Sequence, residues 1–159
     1  MRRVWFAVVL LLVGCGVKPS GIADGGDPPT GVAPGVTLYF VNAQGELEPQ
    51  LRESARLGSI SEALGLLLTG PGDSGLRTEI AATPVTRVVV TSTPDVLRVM
   101  LPLTAQDVTP LGIDQIVCTT LGVHVQSGGT RTTKAQVTFT QPAPESAVAR
   151  TCPLITPGG

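Results

Sequence analysis

The first hydrophobic feature of the chain is an unbroken apolar run from Val4 to Val13, which follows two arginines and ends just before Gly14 and Cys15. This run is too short to span a bilayer as a helix. A positively charged start, a short apolar stretch and a small residue at its end are typical of a secretory signal peptide. We therefore expect residues 1–14 to be removed from an exported protein.

The end of that segment, Leu12-Val13-Gly14-Cys15, resembles the bacterial lipobox. The resemblance implies that the thiol of Cys15 receives a diacylglyceryl group, that the chain is cut before this residue, and that the new N-terminus is acylated, for example with palmitate. It places the protein on the extracytoplasmic face of the cell membrane. Two or three acyl chains anchor a protein stably, at about 0.8 kcal/mol for each buried methylene. The other interpretation is an ordinary signal peptide that is cut nearby, with Cys15 uninvolved.

Hydrophobic periodicity stops after Cys15. Residues 16–35 contain six glycines and four prolines, and such a composition does not bury enough apolar surface to fold. We predict that residues 15–35 form a lipidated, flexible tether with a reach of about 25 Å.

Ordered structure is predicted from residue 36 onward. Apolar and polar positions alternate through Val36–Val41, which is the pattern of a strand. Asn42–Gly45 has the composition of a turn, and Glu46–Glu53 follows as a second strand. Pro49 lacks a backbone N–H, and therefore restricts this second strand to a sheet edge or a bulge.

The most strongly signalled helix starts at Ser59-Ile60-Ser61-Glu62, which is a capping box. In this motif the serine hydroxyl and the glutamate carboxylate each bond a free backbone amide of the first turn. Apolar residues follow at helical spacing as far as Leu68, and the pair Gly70-Pro71 ends the helix.

Five further elements follow in the second half of the chain. We predict strands at Arg87–Thr91 and Val96–Leu103, a helix that starts after the cap Thr109 and ends at Gly122, and a hairpin of Val123–Ser127 with Ala135–Thr140. This order predicts one small α+β domain, residues 36–141, with two helices packed on a mixed, mostly antiparallel sheet. Residues 142–159 then form a C-terminal tail.

The charge balance limits the classes of partner. The chain has 11 Lys and Arg residues and 12 Asp and Glu residues, and loss of the two signal-peptide arginines makes the mature chain more acidic. A mildly acidic surface argues against binding to nucleic acid and against electrostatic adhesion to anionic lipid. The preference for Arg over Lys, with many Ala, Val and Gly residues, suggests a high-GC Gram-positive bacterium.

Cysteine content points to a structural disulfide. Once Cys15 carries lipid, Cys118 and Cys152 are the two remaining thiols of an exported chain, and exported chains meet oxidising conditions in which such thiols pair. We favour a bridge that ties the tail to the second helix. The alternative is two unpaired thiols, with Cys118 packed as a small hydrophobic residue.

Two short motifs suggest catalysis or nucleotide binding, but their context opposes both. Residues 70–75 satisfy the dinucleotide pattern G-x-G-x-x-G, yet they follow a helix where the mechanism requires them to open one. Residues 72–75 also resemble the nucleophile segment of chymotrypsin-like proteases, with Ser74 as nucleophile. His124 follows Ser74 along the chain, however, and nothing positions Lys18 or Lys134 as a base. We assign no catalytic residue.

A metal or cofactor site is not predicted. His124 has no Cys or His at ligand spacing, and the alternation around it predicts a surface position. The carboxylates form no calcium-loop motif, and the interpretation is that they are solvated charges; they include Asp73, Glu79, Asp95, Asp107 and Asp114.

The domain resembles the GerMN domain, the sporulation and spore-germination module of bacterial envelope lipoproteins. The matching pieces are the strand Val36–Val41, the helix Ser59–Leu68 with Thr69-Gly70-Pro71 behind it, the Gly75-Leu76 loop and the helix Ile113–Leu121. The resemblance implies a module that assembles with, or regulates, partners in the cell envelope, and it brings no catalytic residues. The chain lacks the propeller-like extension of larger members, so their particular roles are not carried over.

These observations together predict a membrane-anchored, non-enzymatic envelope lipoprotein. Its GerMN-like domain is expected to bind an envelope protein or a second copy of itself, in sporulation, germination or regulation of the cell envelope. The alternative function is a peptidoglycan- or lipid-binding or hydrolysing domain that the anchor holds near its substrate.

Overall fold

The computed structural model describes residues 35–54 and 56–155. The predicted signal peptide, the predicted lipidation site Cys15, the predicted tether up to Pro34 and the last four residues lie outside the described residues. The elements are β1 Gly35–Val41, β2 Leu47–Glu53, α1 Ile60–Leu68, β3 Val89–Ser92, β4 Val96–Met100, α2 Pro110–Gln126, β5 Lys134–Thr138 and β6 Ala149–Arg150, with 3₁₀ turns at Ala105–Asp107 and Pro144–Ala147. The α+β class predicted from the sequence is confirmed.

Strands β1 and β2 form an antiparallel hairpin that is a sheet of its own. Asn42 closes the turn, because its side-chain oxygen accepts hydrogen bonds from the amides of Gln44 and Glu46 at 3.0 and 2.9 Å. Pro49 lies opposite Tyr39, and β2 has no strand on its other side in the described residues. The restriction of β2 to an edge is therefore observed.

Helix α1 has the predicted boundaries. Ser59 is its N-cap, and both bonds of the capping box with Glu62 are present. The chain leaves the helix at Gly70, whose φ of +88° lies in the left-handed region that favours glycine. The buried face of the helix packs against α2, β1 and β3; it consists of Ala63, Leu64, Leu67 and Leu68.

The second sheet has the order β3-β4-β5-β6 and is mixed. β3 and β4, which correspond to two of the predicted strands, form an antiparallel pair, whereas β4 and β5 are parallel. Parallel neighbours need a crossover connection, and α2 provides it. The sequence prediction of a single sheet is therefore replaced by two sheets, a hairpin and this four-stranded sheet.

The predicted end of α2 at Gly122 is wrong, since the helix continues to Gln126. Gly122 serves close packing instead: a Cβ at this position would lie 3.2 Å from the ring of Tyr39. The helix ends at Ser127 and Gly128, and Gly128 has a φ of +86°. The strand predicted at residues 123–127 is consequently the last turn of α2, and β5 has no hairpin partner there.

Strand β6 was not predicted. It pairs antiparallel with β5, with Ala135 opposite Arg150 and Gln136 opposite Ala149. Part of the segment treated as a tail, residues 142–155, thus belongs to the folded domain, and its Cys152 is buried.

Helix α2 is the centre of the core and is buried on nearly all sides between Gly112 and Val123. Two of its polar side chains bond the edge of β1 that faces away from β2. Thr119 accepts the backbone N–H of Tyr39 at 3.1 Å, and Gln115 donates to the Tyr39 carbonyl at 3.0 Å. Gln115 also accepts the amide of Glu79 at 2.7 Å. Buried polar atoms are tolerated here because each has a partner.

No helix in the described part of the chain is both long and apolar enough to cross a membrane.

Candidate functional site

A surface groove lies between α1 and the segment that joins β2 to α1. Its volume is about 380 Å³, within the range of about 300–1,000 Å³ that is common for binding pockets. The lining is mainly apolar and includes Val36, Leu57, Ala63 and Leu66. We call this concavity the α1 groove.

An ion pair forms the rim of the α1 groove. The Arg56 guanidinium lies 2.7 Å from a carboxylate oxygen of Glu62, and both side chains are exposed. Glu62 also accepts the backbone amide of Ser59 at 2.7 Å. That backbone bond, then the Ser59 hydroxyl and then Arg56, hold the pKa of Glu62 below its usual range. An exposed ion pair adds little stability, so its main effect is to place one charge of each sign beside an apolar surface.

The concavity continues along α1 past Gly65 toward β3. A second depression of about 330 Å³ shares Glu62, Gly65 and Thr86 with the α1 groove and adds Arg87 and Val88. Gly65 allows this shape, because a Cβ there would lie 3.3 Å from the carbonyl oxygen of Thr86. An elongated, apolar surface of this kind fits an extended or helical segment better than a small polar molecule.

The disulfide between Cys118 and Cys152 is present, with a Cα–Cα distance of 4.8 Å. Cys118 lies in the middle of α2, and Cys152 follows β6, so the bridge ties the C-terminal segment to the centre of the core. Both residues are buried, at 0% and 3% exposure. The disulfide is a structural cross-link. Its two cysteines are distant in the sequence from the residues that line the α1 groove.

A smaller depression lies where the C-terminal segment meets β1. It measures about 260 Å³, and Tyr39, Gly122, Leu154 and Ile155 line it. Burial raises the pKa of the Tyr39 hydroxyl. This surface offers polar and apolar atoms in similar proportion, without a charged pair at its rim.

The structure does not bring the candidate nucleophile Ser74 together with the candidate bases His124 and Lys134. Asp73 and Ser74 lie in an exposed turn, where the Ser74 hydroxyl oxygen accepts the amide of Leu76 at 3.4 Å. His124 lies on α2 rather than on a strand, and its Nε2 contacts the Thr133 hydroxyl at 3.1 Å. It is partly exposed, and the predicted strand from which its outward position was inferred is the last turn of α2.

Lys134, which was considered as a base, is exposed at the start of β5. Lys18 and the predicted lipidation site Cys15 lie outside the described residues.

Two of the five carboxylates that were interpreted as solvated charges, Glu79 and Asp107, form bonds that support local structure. Glu79 pairs with Arg77 and accepts the Thr109 hydroxyl at 3.2 Å. Asp107 accepts the hydroxyl and the amide of Thr104 at 2.7 and 2.8 Å, and these bonds lower the pKa of Asp107. Within residues 35–54 and 56–155, no three His, Cys, Asp or Glu residues are grouped as metal ligands.

Sequence reasoning missed the α1 groove because its walls come from four separate segments. Of the residues that line the groove, the sequence assigns an individual role only to Glu62, and this role is to cap the start of α1. The one local signal is the pair Gly65 and Leu66, since a glycine and an apolar residue on the partly exposed side of α1 depart from the polar pattern expected there.

Comparison of the chain with protein-family models, with curated proteins and with solved structures finds no match.

Proposed function

We propose that the protein is a membrane-anchored, non-enzymatic envelope lipoprotein whose α+β domain binds a segment of an envelope protein in the α1 groove. The observation that carries the proposal is the groove itself, an elongated apolar surface with one charged pair at its rim. Apolar contact supplies affinity at such a surface, and the charges at the rim orient the partner.

The sequence adds the location. The lipobox-like end of the signal peptide, Leu12-Val13-Gly14-Cys15, supports an anchor on the extracytoplasmic face of the membrane, and the buried disulfide is of the kind that exported proteins carry. The resemblance to GerMN domains supports a role in sporulation, germination or regulation of the cell envelope. Peptidoglycan or lipid binding is the competing function.

The proposal is tested by chemical cross-linking and pull-down of the full-length lipoprotein from its native membranes. A specific envelope protein should co-purify, and a Cys15→Ser variant, which is not lipidated, should lose both the anchor and the partner. Recovery of wall fragments or lipid alone would favour the competing function.

The groove is tested by a charge placed on its floor. Leu66→Glu introduces a carboxylate into the apolar lining and should abolish capture of the partner. Met100→Glu is the matched control, because Met100 is 53% exposed on the four-stranded sheet and lines neither the α1 groove nor its continuation, and it should leave capture unchanged. Circular dichroism verifies that both variants are folded. Equal capture by the two variants would exclude the α1 groove as the binding surface.

A further inference from the structure

The hairpin of β1 and β2 leaves one strand edge open. Tyr39 uses its N–H and C=O groups on the side away from β2, where it bonds Thr119 and Gln115, and Val41 does the same with Arg77. In an antiparallel pair, residues alternate between bonding the partner strand and facing away from it.

The same alternation applies to β2. Pro49 lies opposite Tyr39, and Leu47 lies opposite Val41, so their main-chain groups point away from β1. The main-chain groups of Leu51 and Glu53 point away from β1 for the same reason. Among the described residues, no backbone group bonds this outer edge of β2. The edge is seven residues long, and an open edge of this length is a template for pairing with another strand.

The sequence of β2 is self-complementary in charge. An antiparallel pair of two β2 strands, centred on Gln50, places Glu48 of each copy directly opposite Arg52 of the other. Neither Glu48 nor Arg52 takes part in an ion pair in the described residues. Opposite charges that face each other across a strand pair stabilise it.

The centre of the other face of the same pairing is apolar. There Pro49 of one copy lies opposite Leu51 of the other, and Leu51 is 54% exposed in the single chain. Leu47 and Glu53 can exchange both main-chain hydrogen bonds, whereas Pro49, which has no N–H, only accepts one. Shifting the centre to Pro49 would set the two prolines opposite each other and would place Arg52 opposite Glu46, which lies outside β2, instead of opposite Glu48. Pairing centred on Gln50 is therefore favoured.

We propose that two copies of the chain associate through the outer edges of their β2 strands, in an antiparallel pair whose twofold axis passes through Gln50. The inference rests on the proposed function, since lipid anchors confine the copies to one membrane and raise their effective concentration. It leaves the α1 groove free, because the groove is lined by Ser54, which follows β2, and by no residue of β2 itself.

Cysteine cross-linking in native membranes tests this arrangement. Residues at the axis form a pair without main-chain hydrogen bonds between them, with Cα atoms about 4.5 Å apart, a separation that a disulfide can span. Gln50→Cys should therefore give a reducible dimer under mild oxidation. The change is mild, because the Gln50 amide makes a single long bond of 3.4 Å to the Pro71 carbonyl.

Glu48→Cys is the matched control. In the proposed pair its two copies lie roughly 14 Å apart, and it should remain monomeric. Mixing Glu48→Cys with Arg52→Cys should restore the dimer, because these two positions face each other. Equal cross-linking of Gln50→Cys and Glu48→Cys, or none in either, would overturn the inference. Capture of an envelope protein in the α1 groove is scored separately, so failure of one idea is distinguishable from failure of the other.

The charge pairs have their own test. Arg52→Glu places like charges opposite each other at two points and should lower the cross-linked fraction of Gln50→Cys about five- to tenfold. Adding Glu48→Arg to Arg52→Glu exchanges the charges and should restore the original fraction. If the double exchange remains as low as the single variant, the lost bond between Arg52 and the Gly70 carbonyl explains the effect and the proposed pairing is rejected.

Discussion

Removal of the disulfide is the perturbation whose effect follows most directly from the structure. Cys118 and Cys152 are 34 residues apart in the sequence. In the chain-entropy relation, a closed loop of that length restricts the unfolded chain by about 3.8 kcal/mol. Both side chains are buried, so replacing the sulfurs with hydrogens also removes packing in the folded state. We expect Cys118→Ala/Cys152→Ala to lower the free energy of unfolding by about 3–5 kcal/mol.

The assay is urea unfolding followed by far-ultraviolet circular dichroism, on the chain carrying Cys15→Ser. Tryptophan fluorescence is unsuitable, because the single tryptophan, Trp5, lies in the predicted signal peptide. The melting temperature should fall by about 10–20 °C. Reduction of the parent protein with a dithiol should reproduce the loss in the double variant. A loss below about 1 kcal/mol in both measurements would refute the reasoning that the bridge restrains the unfolded chain.

Three further predictions concern the core and the helix cap. Gln115→Leu leaves the Tyr39 carbonyl and the Glu79 amide without their partner and should cost about 2–4 kcal/mol in urea unfolding; a cost below about 1 kcal/mol would show that water replaces the side chain. Gly112→Ala should destabilise the protein, although this exchange usually stabilises a helix, because the new Cβ would lie 2.3 Å from the Glu79 carbonyl oxygen; a higher melting temperature would contradict this packing. The pKa of Glu62 is lowered in the folded state, so its contribution to stability is present above the ordinary value of 4.5 and is lost as the pH falls through the folded-state pKa. Glu62→Gln, which keeps a capping side chain, should therefore lose less stability than the parent between pH 5 and pH 3, and identical pH profiles would rule out this contribution.

The ends of both helices show how far local sequence determines this fold. Ser59 and Glu62 act through bonds within one turn, and Thr109 caps α2 by accepting the amide of Gly112 at 3.1 Å. These features depend on neighbours in the sequence, and so the start of each helix was predictable. Gly70 ends α1 for an equally local reason, since its conformation suits glycine.

Gly122 shows where local reasoning fails. A glycine late in a helical pattern usually marks the C-terminus, but here the ring of Tyr39, far away in the sequence, occupies the space beside it. The helix continues, and the strand predicted after it does not exist. The burial of Gln115 and Thr119 has the same origin, because their partners are backbone groups of distant segments.

The candidate site was less accessible from the sequence than the fold. Its apolar walls combine the start of β1, the segment before α1 and one side of α1, and no periodicity in one segment reports such a combination. The open edge of β2 could be predicted from the sequence in part. Pro49 predicts that β2 lies at a sheet edge. Which residues of β2 direct their main-chain groups outward, however, depends on how α2 bonds Tyr39.

Site-specific photo-cross-linking in native membranes tests the central claim most directly. A photoreactive amino acid at Leu57, which lines the α1 groove, is compared with the same amino acid at the exposed position Met100 on the four-stranded sheet, which lines neither the groove nor its continuation. We predict that Leu57 captures one defined envelope protein and that Met100 does not. Capture of the same protein with equal yield from both positions, or capture of lipid or peptidoglycan alone from Leu57, would contradict the account.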